Sequence, residues 1–367
     1  MRVVVAPDAF GGTLSAVEVA AAIATGWRSV APRDELDLLP MSDGGPGFVD
    51  VLASSGRSGE RRMRSVHDPL GRPVDAEVFA TGDTVYVEAA QAAGLGLLAA
   101  AERDPRRTTT YGVGELVALA DTGGVSRIIV GLGGTGTNDG GAGLWAALGA
   151  QPDDVLRAGG AALLDLDHVL PPRPVGAGLV AATDVDNPLL GPNGASAVFG
   201  PQKGADREAV LDLDDALRRW AELVETVTGR GGLRDLPGAG AAGGLGFGLL
   251  ALGAVRASGL ALVAEAVGLA DHIATADLVV TGEGAFDSQS LRGKVVSGVA
   301  GLAQQAGVPC VVIAGQVAVG RQDAAAAGVD DAYAVADTLG SAAAAIESGA
   351  DGVGQTAARA ARLWSRG

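Results

Sequence analysis

Short β-branched runs that end in a loop of glycine and aspartate, each followed by an alanine-rich helical stretch, recur along the chain. This alternation leaves few architectures open. In the clearest case Arg127-Ile-Ile-Val130 leads into the glycine-rich stretch Gly131 to Gly143, and a helix begins near Leu144. A continuous apolar run is what a strand buried on both faces requires. Val3 to Ala6 likewise precedes Pro7-Asp8 and a helix over Ala16 to Val30, with Ser15 and Glu18 at capping-box spacing. Leu36 to Leu39 precedes Ser42-Asp43-Gly44-Gly45 and a helix from Phe48, and Leu278 to Thr281 precedes Gly282-Glu283 and a helix over Val295 to Gln305. Val308 to Ala314 and Ala332 to Val335 supply further strands. The pattern predicts an α/β fold with ligand loops at the carboxyl ends of parallel strands.

The middle of the chain departs from it. Alternation around Val74 to Phe79 and Thr84 to Val87 predicts a hairpin about Gly82-Asp83. The basic, polar stretch Gly56 to Arg64 before it reads as a domain boundary, and 367 residues are enough for two domains. Leu236 to Val255 is uncharged but rich in glycine, so it reads as a close-packed loop and a buried helix rather than a membrane span. A formal charge of −16 argues against nucleic acid or an anionic membrane as partner. The single cysteine, Cys310, sits in an apolar run, which together with the absence of a signal-peptide pattern points to the cytoplasm.

Chemistry concentrates in the strand-end loops. Gly131 to Asn138 would set backbone N–H groups at a helix N-terminus, where anions are favoured, with Thr137 and Asn138 to orient a ligand. Asp139 would repel a bare anion, and it fits either a bridging metal or an N-cap. The spacing Gly131-x-Gly133-x-x-Gly136 matches a dinucleotide fingerprint, but no strand with a terminal acid follows about 20 residues on, so a nicotinamide site is set aside. Of 27 basic residues only Lys203 and Lys294 are lysine, and each lies in a glycine-flanked motif, as expected where a compact charge is needed. Asp184 and Asp186 could coordinate Mg²⁺ together with substrate phosphates. Arg106 and Arg107 with Thr108 to Thr110 could hold an anion or form a solvated surface. His67, His168 and His272 share no metal-ligand spacing.

Together, Pro7-Asp8, Ser42-Asp-Gly-Gly45, Thr109-Thr-Tyr-Gly112, Gly131-Leu-Gly-Gly134, Thr137-Asn-Asp-Gly-Gly-Ala-Gly143, Phe199-Gly-Pro-Gln-Lys-Gly-Ala205, Gly240 to Gly246 and Gly282-Glu-Gly with Gln289-Ser-Leu-Arg-Gly-Lys294 resemble the type 1 glycerate kinases. The resemblance spans nearly the whole chain. It implies ATP- and Mg²⁺-dependent phosphorylation of D-glycerate to 2-phosphoglycerate, in a cleft between two α/β domains. One domain, residues 1–62 plus 274–367, would be discontinuous with a mostly parallel, flavodoxin-like sheet. The other, 63–273, would be an inserted mixed-sheet domain, and a homodimer is compatible with the resemblance. On this reading Asp43, Asp287 and Lys294 are catalytic. Gly133, Gly134, Thr135, Thr137, Asn138, Lys203 and Gly204 hold ATP, and Asp8, Gly44, Gly45, Glu283 and Gln289 meet the hydroxy acid. Asp184 and Asp186 hold Mg²⁺.

The chain departs from the family pattern at Gly11, Pro46, Phe48 and Ala285, where a lysine, a glutamate, a threonine and an arginine are expected. Losing cations that pair with a carboxylate or phosphate fits a shifted substrate, a different hydroxy acid or a polyol. A reading of another class is a non-catalytic protein that binds a metabolite or nucleotide through the same loops.

Overall fold

The structure, a computed structural model, describes residues 1–288, 290–291 and 294–365. Its strands are β1 (Arg2–Val5), β2 (Glu35–Leu38), β3 (Glu60–His67), β4 (Pro73–Thr81), β5 (Thr84–Glu88), β6 (Arg127–Gly131), β7 (Gly178–Ala182), β8 (Val255–Ala257), β9 (Leu278–Phe286), β10 (Cys310–Val317) and β11 (Asp331–Ala334). They form two sheets, and the chain divides into two compact units.

The first unit comprises Met1–Asp43, Asp50–Gly56 and Leu260–Gly367. Its sheet has the order β11-β10-β9-β1-β2 with every pairing parallel. Val3, Val4 and Val5 are fully buried, as are Val279 and Val280 beside them in β9. The helix Ala16–Arg28 opens with a capping box: the Glu18 N–H donates to Ser15 Oγ at 3.3 Å, and the Ser15 N–H donates to Glu18 Oε2 at 2.8 Å. It lays Val19, Ile23 and Trp27 on the sheet, and the Trp27 Nε1–H reaches Asp34 at 2.9 Å. A burial of this kind contributes roughly 1.5–3 kcal/mol per large apolar side chain. The terminal helix Ala342–Trp364 is broken at Gly349, whose φ of 52° and ψ of −129° leave the helical region.

The second unit comprises Gly44–Val49 and Arg57–Gly259. Its sheet runs β3-β4-β5-β6-β7-β8, antiparallel through β5 and parallel beyond it. A mixed sheet is therefore present in the middle of the chain. The core is built around Trp145 and Trp220, which meet edge to face with ring centroids 5.4 Å apart. Both indole N–H groups donate to backbone carbonyls, those of Gly248 and Gly140, at 3.0 Å. The helix Leu245–Ala251 is buried along its whole length, and among the described residues no helix is long and apolar enough to cross a membrane.

Two element assignments need correction. The stretch Gly56 to Arg64, read only as a domain boundary, also carries the start of strand β3, paired with β4 from Glu60↔Ala80 to His67↔Pro73. Its charges sit on an edge strand and are met locally, Arg61 by Glu77 at 3.0 Å and Arg62 by Glu60 at 2.9 Å; edge strands tolerate such residues because they discourage pairing with other chains. Strand β9 runs on to Phe286, five residues past its expected end, because its register with β10 continues through Gln316↔Ala285 and Val317↔Phe286. Glu283 is consequently a strand residue rather than a loop residue.

Candidate functional site

At the carboxyl end of the first unit's parallel sheet lies a cavity of about 490 Å³. Each wall comes from a strand end: Asp8 follows β1, Asp43 follows β2, Glu283 lies in β9 with Asp287 just beyond it, and Gln316 lies in β10. Lys294, the residue before the helix Val295–Ala306, is the only cation among the described residues lining the cavity. Val335, Ala345, Ile346 and Val353 close the other side with apolar surface. Four carboxylates and one ammonium thus share one space, as a parallel sheet arranges when acids terminate neighbouring strands. Gln289, expected to join them, lies outside the described residues.

Crowding and burial alter these acids. Burial pushes the Asp8 carboxyl up to about 8 and Asp43 reinforces the shift, while the Ala9 N–H, 2.7 Å from Asp8 Oδ1, opposes it. Glu283 is also raised, first by burial, with the Ser290 hydroxyl and Lys294 working against it. Its residue is 8% exposed and its Oε1 is buried without a hydrogen-bond partner. A buried carboxylate oxygen left unpaired is costly, so this atom is suited to receive a donor from a ligand.

A stability test follows for Asp8. Its folded value of about 8 exceeds the ordinary 3.8. Between those values the folded protein retains a proton that the unfolded chain releases, so stability is greatest at low pH and falls as pH rises through the window. Asp8→Asn, which mimics the protonated acid, is expected to raise Tm over the parent at about pH 9 and to change it little at about pH 5. An equal Tm difference at both pH values would refute this assignment.

The second unit holds the glycine-rich loop after β6. Thr137, Asn138 and Asp139 are fully buried. The anion served by the following helix, Ala142–Ala147, is the chain's own Asp139: its carboxylate accepts the N–H groups of Gly141 and Gly143, each at 3.1 Å, and that of Thr110 at 2.7 Å. The Thr110 hydroxyl donates to it as well, at 2.9 Å. The N-cap position itself is Gly141, so Asp139 serves the helix from two residues before its cap. Thr108 to Thr110 are thereby structural, since Thr108 Oγ1 bonds the Gly136 carbonyl and the other two face Asp139.

The loop itself is closely packed. Gly133 donates to the Gly44 carbonyl at 3.0 Å, and a Cβ on Gly133 would stand 2.4 Å from the Gly45 Cα, so glycine is required there. Gly44 and Gly45 therefore belong with this loop. Lys203 is 2% exposed, and its ammonium donates to the Thr137 carbonyl at 2.7 Å and lies 3.4 Å from the Thr135 hydroxyl. Burial lowers its pKa to about 7, and Asp139 pulls the other way. Gly204 ends that turn with φ 100°, against the Arg103 carbonyl. Thr137 Oγ1 and Asn138 Oδ1 are buried without partners, while Asn138 Nδ2 donates to Ser196 Oγ at 2.9 Å. Asp184 follows β7, and Asp186 is largely exposed and paired with Arg256 at 2.5 Å. Among the described residues no group of three or more His, Cys, Asp or Glu is placed to hold a metal.

Sequence reasoning missed Glu88 and Ser196. Glu88, at the end of β5, is 4% exposed and accepts the N–H groups of Gly47 and Val49 at 3.1 and 3.2 Å. A lone acid ending an otherwise apolar run was the available signal.

The profile of the Glycerate kinase family matches residues 3–365. The glycerate 2-kinase of Escherichia coli K12 is 41% identical over 93% of this chain and 92% of its own length. A glycerate kinase of Bacillus subtilis 168 is 44% identical over 86% of this chain and 85% of its own. An uncharacterised protein of Mycobacterium bovis is 45% identical over 100% of this chain and 93% of its own. A crystal structure assigned as glycerate kinase 2 of Salmonella typhimurium LT2 superimposes with a TM-score of 0.80 at 39% identity, covering 99% of this chain and 98% of that one.

Proposed function

Because the chain belongs to the glycerate kinase family, we propose that it transfers the γ-phosphoryl group of ATP to a hydroxyl of a small hydroxy acid, D-glycerate first among them. The observation that carries this reading is the cavity in which Asp8, Asp43, Glu283 and Asp287 face Lys294. Phosphoryl transfer asks a protein for positioning, charge neutralisation and a carboxylate to receive the hydroxyl proton. With Asp8 and Glu283 both pushed towards their protonated forms, they serve the substrate as hydrogen-bonding groups. The base is assigned to Asp43 or Asp287. Lys294 supplies positive charge against the phosphoryl oxygens, with Gln289 on the substrate.

Mg²⁺ typically binds through one or two carboxylates plus substrate phosphates. Asp184 is assigned to hold it, with the exposed Asp186 contributing less. When bound, the ion neutralises phosphate charge. The loop Gly133, Gly134, Thr135, Thr137 and Asn138 is assigned to the phosphates, the orphaned Thr137 Oγ1 and Asn138 Oδ1 offering polar contacts and Lys203 and Gly204 bracing it from below. Lys203→Met is expected to raise the KM for ATP about tenfold while kcat changes less than about threefold. An unchanged KM would remove Lys203 from nucleotide handling.

One observation favours a shifted acceptor. Gly11 and Ala285, where the family pattern carries cations, both line the cavity. The space about Gly11 is open, with nothing within 4 Å of an added Cβ. The cavity is left with an acidic balance that favours hydroxyl donors over a second carboxylate. An ADP-release assay with Mg²⁺, D-glycerate, related hydroxy acids and polyols tests both readings. Turnover with glycerate supports the first and preferential turnover with an uncharged polyol the second. No acceptor-dependent ADP release would sink the proposal.

A further inference from the structure

The second unit carries another cavity, of about 350 Å³, on a different set of residues. Arg107, Arg157, His67, Thr109 and Tyr111 line it, together with Pro69. In a chain of net charge −16, two guanidinium groups and an imidazole around one hollow are a local exception.

The walls are tied together. The Asp68 carboxylate accepts the N–H groups of Leu70 and Arg72 at 2.8 and 2.9 Å and fixes the turn after β3. The Thr109 N–H donates to the Pro69 carbonyl at 3.0 Å, which joins that turn to the segment carrying Arg107. The Ala161 N–H donates to the Arg106 carbonyl at 3.0 Å, which joins the segment to the one carrying Arg157. Gly159, at φ 101°, permits this approach, since a Cβ there would lie 2.5 Å from the Arg107 carbonyl carbon.

The side chains are set as well. Arg157 lies over the Tyr111 ring, its Cζ 4.2 Å from the centroid, and His67 meets the same ring in an edge contact with centroids 5.8 Å apart. Glu115 accepts from, or pairs with, His67 Nδ1 at 2.9 Å, and Asp153 is a loose partner of Arg157 at 3.5 Å. Arg107 makes no ion pair or side-chain hydrogen bond among the described residues, so its five donors are available to a ligand. A planar guanidinium fork suits a head with several oxygens in one plane or face.

We propose that this cavity binds a small phosphate-like dianion, inorganic phosphate or a phosphate monoester, held chiefly by Arg107 and Arg157. The site shares no lining residue with the cavity assigned to the reaction and needs no part of that assignment.

Titration calorimetry with inorganic phosphate, in the absence and in the presence of a non-hydrolysable ATP analogue, tests it. Arg107→Gln and Arg157→Ala are each expected to weaken phosphate binding about tenfold or more, the loss of one charge-assisted contact. Arg157→Lys should recover only part of it, because an ammonium lacks the planar stack on Tyr111. Tm without phosphate should stay within a few degrees for Arg107→Gln, since that side chain makes no ion pair or hydrogen bond among the described residues. Succinate, a dicarboxylate control, should bind at least about tenfold more weakly than phosphate. Phosphate affinity within twofold of the parent in the Arg107→Gln, Arg157→Ala double variant overturns the site, and equal binding of succinate overturns its phosphate character. Binding of a phosphate monoester but not inorganic phosphate, lost in the same variants, supports the site and identifies the esterified form.

Discussion

Lys294→Met is expected to lower kcat/KM for phosphoryl transfer by about 10²- to 10³-fold, the range seen when one preorganised electrostatic contact to a transition state is removed. The reason lies in the charge balance of the cavity at the end of the first sheet. Asp8, Asp43, Glu283 and Asp287 line it, and Lys294 is the only cation among the described lining residues. Burial and mutual repulsion already push Asp8 and Glu283 towards neutrality, with Lys294 opposing that in both. Without the ammonium, the charged groups left among the described lining residues would all be carboxylates. The effect should fall mainly on kcat, because charge on the transferring group is greatest in the transition state. A second readout separates this role from a structural one: Asp8 should titrate higher still in the variant, visible as a shift in the pH dependence of Tm. Activity within about threefold of the parent would take Lys294 out of the mechanism.

The parallel sheet and the placement of acids at its strand ends were legible because both follow from local pattern. Val3–Val5, Leu278–Val280 and Val311–Ile313 are uniformly apolar, and such runs admit little besides a strand covered on both faces. Asp8 and Asp43 meet at one cavity because β1 and β2 are neighbours with parallel register. What was not legible depends on partners distant in sequence. β3 has no apolar face of its own and exists through its pairing with β4. Glu283 stays in the strand because β10 continues beside it. The glycine-rich loop read as an open cradle because its sequence advertises free N–H groups; Asp139 accepts those of Gly141 and Gly143, the Thr110 hydroxyl accepts that of Leu144, and Thr110 lies 29 residues from Asp139. The same blindness hid Glu88, whose bonds are to Gly47 and Val49, 41 and 39 residues upstream. The cavity at Arg107 was half visible: the arginines were noted as a candidate anion contact, but Arg157 reaches the same hollow only through the close approach at Gly159.

Asp139→Ala is expected to be the most destabilising single change in the second unit. The carboxylate is fully buried and receives hydrogen bonds from the N–H groups of Thr110, Gly141 and Gly143 and from the hydroxyls of Thr110 and, at 3.4 Å, Thr109. Each of these groups would be left buried and unpaired, at about 1–3 kcal/mol apiece before relaxation. Water cannot readily replace the carboxylate, since the surroundings are tight: a Cβ on Gly141 would stand 2.8 Å from the Gly248 Cα, and one on Gly143 2.1 Å from Thr109 Oγ1. Lys203 would also lose the one carboxylate that favours its charged form, and its buried ammonium would titrate lower still. A loss of at least about 4 kcal/mol follows even if the costs are far from additive, which is a large part of the roughly 5–15 kcal/mol that holds a domain together. Asp139→Asn keeps the shape and one acceptor oxygen but turns an N–H₂ group towards donors, so it should fall between the parent and the alanine variant. Urea denaturation followed by tryptophan fluorescence measures this directly, because Trp145 and Trp220 sit in the same core. A cost below about 1 kcal/mol for Asp139→Ala would mean that the loop finds other partners, and that its N–H groups are available to a ligand after all.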